Sequence, residues 1–143
     1  MSETEIYQLM FSGLTVSGLF LIGFSFLTWF AGRCAVVTNE AGNSNLISKI
    51  VISAFALSSL WYVNLQFSYV ALHINGAAHS LAVLKDSGAE ISARSEQLVG
   101  LYGASSQNVP SLSLVNDPIG IVLIASIAII LLSGIWLSGS NEE

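Results

Sequence analysis

WYVNLQFSYVALHIN, residues 61–75, follows KIVISAFALSSL, residues 49–60, with no break in apolar character. Together they exceed the roughly 20 apolar residues that cross a hydrocarbon core of about 30 Å. Residues 61–75 carry no formal charge. They nevertheless hold Asn64, Gln66, Ser68 and His73, with Tyr62 and Tyr69 between them. An amide without a hydrogen-bond partner in hydrocarbon is costly, so each of these side chains needs a neighbour.

At 100° per residue the stretch resolves into three stripes. Trp61, Asn64, Ser68, Ala71 and Asn75 form one. Ser59, Tyr62, Gln66, Tyr69 and His73 form a second. Leu60, Val63, Phe67, Val70 and Ile74 form a third, wholly apolar one. A helix with two polar stripes cannot turn both to lipid. Three accommodations are open: bonds to other helices, a far-interface position among headgroups, or a polar path or ligand site. Interhelical bonding, at about 0.6–2 kcal/mol per contact, is the expected one. It is preferred because no span core carries a charge, and intramembrane charge is what marks a functional path.

The composition agrees with a membrane protein. The 143 residues are 53% hydrophobic and only 9% charged, whereas soluble domains carry about 25% charged residues. The net charge is −5, and the basic residues are Arg33, Lys49, Lys85 and Arg94. There is no basic patch for nucleic acid and no polybasic lipid anchor.

Three spans are expected, at about residues 9–31, 46–74 and 119–137. The first is flanked by Tyr7 on one side and Trp29, Phe30 and Arg33 on the other, as an interface-anchored helix is. The sequence before it, MSETEIYQ, is acidic where a secretory leader needs a positive region, so a permanent anchor is expected. The third span starts with Asn116 or Asp117 as N-cap and Pro118 in the first turn. Leu81, Leu84, Ile91, Leu98 and Tyr102 recur at helical spacing, with Gly88 and Ser95 in the gaps. An amphipathic helix over about residues 77–102 is therefore expected, with Glu90 and Arg94 paired across one turn and a loop at 103–117. All of this is one membrane domain, residues 1–143. Arg33 and Lys49 flank the first connection, which places it in the cytoplasm, the N-terminus outside and the SGSNEE tail inside.

Small residues four apart let helix backbones approach. Gly13 with Ser17 and Thr28 with Gly32 supply such pairs in the first span, and Ala54 with Ser58 in the second. They imply close packing of these two spans.

Catalytic patterns do not emerge. Cys34 is the sole cysteine. His73 and His79 are six apart, on different sides of a helix, so no bis-His haem site follows from their spacing. No phosphate-binding glycine motif is found. Neither a metal nor another cofactor is expected, and the chain is read as a non-enzyme. The reading is an all-α integral membrane protein, structural or accessory. Its partners are the lipid bilayer and either other membrane subunits or copies of itself, in a larger complex, a homo-oligomer or a viral membrane. The alternatives are a small holin-like or channel-type pore former and, behind it, a cofactor-holding redox subunit.

Overall fold

In a computed structural model, residues 1–42, 45–114 and 118–137 are described. Four helices follow one another: α1 (Glu3–Glu40), α2 (Leu46–Asp86), α3 (Ala93–Leu101) and α4 (Pro118–Trp136). Among the described residues there is no strand. Helices α1, α2 and α4 are each long and apolar enough to cross a membrane. At 1.5 Å per residue they measure about 57, 61 and 28 Å. Thus α4 matches a hydrocarbon core, while α1 and α2 exceed it.

Local chemistry sets the helix ends. The Ser2 hydroxyl accepts from the Glu5 N–H at 3.3 Å, and the Glu5 carboxylate accepts from the Ser2 N–H at 2.6 Å. This reciprocal pair is a capping box. Asn45 and Ser48 repeat it at the start of α2, with bonds of 2.9 and 3.1 Å. The proposed caps Asn116 and Asp117 lie outside the described residues, as do the end of the 103–117 loop and the SGSNEE tail.

The helix expected over residues 77–102 is not continuous. α2 runs past Ile74 to Asp86 and stops, and α3 begins at Ala93. The cause is Gly88, at φ +87. Its N–H bonds to the Lys85 carbonyl at 2.9 Å, and the Ala89 N–H reaches the Leu84 carbonyl at 3.4 Å. These two bonds define a Schellman motif, whose left-handed residue suits glycine. Glu90 consequently precedes α3 and is no one-turn partner for Arg94. The ion pair that forms instead joins Lys85 to Glu96 at 2.7 Å.

The chain divides into two compact units. The first comprises residues 1–19 and 66–114. Its core is Ile6, Ala77 and Leu81, with Tyr7, Met10, Leu84, Leu98 and Val99 packed around it. The second comprises residues 20–65 with α4. Its core is Ala31, Ala35, Ala56 and Ile135, flanked by Ile52, Phe55 and Leu131. Alanines at these positions hold the helices close, leaving little room for a longer side chain. We therefore expect Ala35→Leu to lower stability by about 1–3 kcal/mol through overpacking. Ala54→Leu, at an exposed site, should leave it nearly unchanged. Thermal unfolding of the two variants in the same detergent measures the contrast.

Candidate functional site

The chemistry-bearing side chains gather in three places, two in the first unit and one in the second. In the first unit, His73 lies directly against Gly13. A β-carbon placed on Gly13 would come within 2.5 Å of His73 Cε1 and 2.7 Å of Cγ. Real side chains do not approach that closely, so glycine is required while the ring keeps this position. The Tyr69 ring stacks near His73, with centroids 6.5 Å apart. His73 and Gly13 therefore form a knob-and-notch contact between α2 and α1. Ser17, one turn from Gly13, is buried.

The same unit carries a carboxylate clamp. Glu3 accepts from the Ser92 N–H at 3.0 Å, the Ser92 hydroxyl at 2.5 Å and the Ser95 hydroxyl at 2.6 Å. Ser95 is fully buried and has one proton, which goes to Glu3. The Tyr7 hydroxyl, 2.9 Å away, must therefore donate to Ser95. Ser92 is also the N-cap of α3, accepting from the Ser95 N–H at 3.3 Å. A carboxylate at a helix N-terminus is favoured by the exposed N–H groups there. The Ser92 hydroxyl, then the Ser95 hydroxyl and the Ser92 N–H, hold the Glu3 pKa below the ordinary glutamate value. Nearby, His79 Nδ1 lies 2.8 Å from the Ser105 carbonyl, and the Ser106 hydroxyl donates to Asp86. Thus Ser95, expected as a gap in an apolar stripe, is a buried hydrogen-bonding residue.

In the second unit the ends of three helices close together. Asn39 Nδ2 donates to the Gly134 carbonyl at 3.1 Å, and Trp136 Nε1 donates to Ser53 Oγ at 3.0 Å. Lys49 Nζ stands 5.8 Å from the centroid of the Trp136 ring, within cation–π range. Elsewhere in this unit Tyr62 stacks on Phe24 with centroids 4.8 Å apart, and Phe30 meets Phe55 edge-on at 6.3 Å.

The stripe residues can now be placed. Ser59, Gln66 and Ser68 are buried, and Asn64, Tyr69 and His73 are half-buried; Tyr62 is exposed at its edge but stacked on Phe24. The stripe of Ser59, Tyr62, Gln66, Tyr69 and His73 is thus largely turned inward. The small pairs divide differently. Thr28 is buried, with its hydroxyl on the Phe24 carbonyl of its own helix at 2.9 Å. Gly32 abuts Leu131 of α4, whose Cδ2 would lie 3.2 Å from a β-carbon there. It therefore seats span three rather than span two. Ala54 and Ser58 are exposed and take no part in the packing of α1 on α2. Ala31, Ala35 and Ala56 do that instead. Ala31 and Ala35 are themselves four apart, a spacing that could have revealed them. The SxxE box at residues 2–5 was equally visible beneath the acidic character of the N-terminus.

Among the described residues no group of three His, Cys, Asp or Glu side chains is placed to hold a metal ion. Comparison with family models, with characterised proteins and with solved structures gives no match to this chain.

Two outcomes follow. Gly13→Ala should destabilise the protein by about 1–3 kcal/mol, and His73→Ala should largely suppress that loss; a double-mutant cycle in thermal unfolding measures the coupling. The Glu3 clamp contributes stability above the ordinary glutamate pKa and loses it as pH falls through the lowered folded value. Amide-exchange protection across residues 92–101, taken relative to the intrinsic rate at each pH, should fall in that acid range for the native chain. In Glu3→Gln that protection should be low already and nearly independent of pH.

Proposed function

We propose that this chain is a non-catalytic integral membrane subunit that inserts α1, α2 and α4 into a bilayer and packs against other membrane proteins or copies of itself. Insertion is supported by the outward apolar surface. Leu19 and Ile22 on α1, Ile47 on α2 and Ile130 on α4 are 67%, 70%, 73% and 69% exposed. Side chains of that size at that exposure, repeated along three helices, call for an apolar solvent. The proposed orientation has the N-terminus outside and the 41–45 connection in the cytoplasm, on the strength of Arg33 and Lys49.

One observation carries the assembly role. Ala54 and Ser58, one turn apart on α2, are exposed. In lipid, association is driven by close backbone approach at small residues, and this pair is left over once the chain has packed its own helices. The amides no longer carry the argument, because Gln66 is buried within the chain. That burial also supports interhelical packing over a water-filled path along the second stripe.

The test is the protein mass of the particle after mild solubilisation, corrected for bound detergent. An assembly is expected, and Ala54→Leu with Ser58→Leu should shift it to the single-chain mass without lowering thermal stability. A single-chain mass for the native protein at every concentration, with no co-purifying partner, would sink the proposal.

A further inference from the structure

We infer that the second unit holds an anionic phospholipid in the groove between the C-terminal half of α1 and the C-terminal half of α4. The groove has a volume of about 400 Å³ and is lined by Trp29, Gly32, Arg33, Val36, Leu131 and Gly134, among others. Its size falls within the range of about 300–1,000 Å³ usual for small-molecule sites. Among the described residues its walls are apolar apart from the Arg33 guanidinium.

The glycines explain why a groove exists. Gly32 and Gly134 supply no side chain, and Leu131 already fills the space over Gly32. A β-carbon on Gly134 would clear the described neighbours by 4 Å, so this wall opens into the groove. The Asn39 to Gly134 bond ties the two helices together at this end of the groove.

The occupant follows from charge and depth. Arg33 is exposed, and among the described residues it has no ion-pair partner. It stands one turn from Trp29, the pairing of aromatic ring and cation that sits at headgroup level. An acyl chain fits the apolar walls, and a phosphate or other headgroup anion reaches Arg33, whose planar fork suits such oxygens. The site rests on the insertion proposed above. In the proposed orientation it faces the cytoplasmic leaflet, where anionic lipids concentrate.

The test uses the full chain purified in mild detergent and exchanged into equal amounts of phosphatidylglycerol and phosphatidylcholine, with retained lipids counted by native mass spectrometry. Phosphatidylglycerol should be retained over phosphatidylcholine by about fivefold, the effect of one cation near an anionic headgroup. Arg33→Gln should abolish the preference, Arg33→Lys should keep most of it, and Arg94→Gln, a cation in the other unit, should leave it intact. Gly134→Leu should expel both lipids by filling the groove. Equal retention of the two lipids by the native chain, or an Arg33→Gln variant that still prefers phosphatidylglycerol, would overturn the inference. Displacement of the lipid by millimolar glycerol phosphate would do so too, because the acyl chain would then contribute nothing. Flotation with liposomes and resistance to carbonate are read separately. A chain that floats but shows no preference defeats the site alone, and a chain that does not float defeats insertion as well.

Discussion

The closeness of His73 to the Gly13 backbone rests on a single missing methyl group. In an apolar helix a polar ring must be covered, and the cheapest cover is the backbone of a neighbouring helix. That backbone comes near enough only where a residue has no side chain. The same requirement recurs in alanine form around Ala31, Ala35 and Ala56, where close contact replaces bulky packing. At these contacts the small residues Gly13, Ala31, Ala35 and Ala56 face inward, while large residues such as Leu19, Ile22 and Ile47 stay outward. This inverts the arrangement of a soluble bundle, in which the large apolar residues are buried.

Polar groups in the two units are satisfied in different ways. The first unit relies on a carboxylate that gathers two hydroxyls and an N–H, and it brings α3 against the start of α1. Exposed pairs such as Lys85 with Glu96 add little beside it, about 0–1 kcal/mol. The second unit relies on neutral donors, the Asn39 amide and the Trp136 indole, reaching a carbonyl and a hydroxyl on other helices. Each of those donors lies near a helix end, where unpaired carbonyls and interface-seeking side chains are found.

The long apolar helices were legible because their signal is cumulative: no single residue has to be read correctly for residues 9–31 or 119–137 to register as apolar runs. The second polar stripe was legible for a similar reason, since Ser59, Gln66 and His73 share one side of α2 whatever that side meets. What could not be read was the neighbour. Ala54 with Ser58 and Ala31 with Ala35 have the same spacing, and only tertiary structure tells the exposed pair from the buried one. Gly88 was misread because periodicity counts a glycine as a gap in a stripe. The backbone used it instead as a left-handed terminator, and the Glu90–Arg94 pairing was lost with the helix that would have aligned it. Ser95 and Glu3 are 92 positions apart, a pairing that no local pattern encodes.

The neutral closure of α1, α2 and α4 by Asn39, Ser53 and Trp136 has a consequence for where this molecule can work. Amide, hydroxyl and indole groups do not titrate across the range of biological compartments, and their bonds are little weakened by salt. These two contacts are therefore indifferent to acidity and ionic strength. The Glu3 clamp of the first unit is not. One polypeptide thus carries a titratable contact, the Glu3 clamp on α3, which gives way only below the ordinary glutamate range, and non-titrating contacts at the helix ends joined at Trp136.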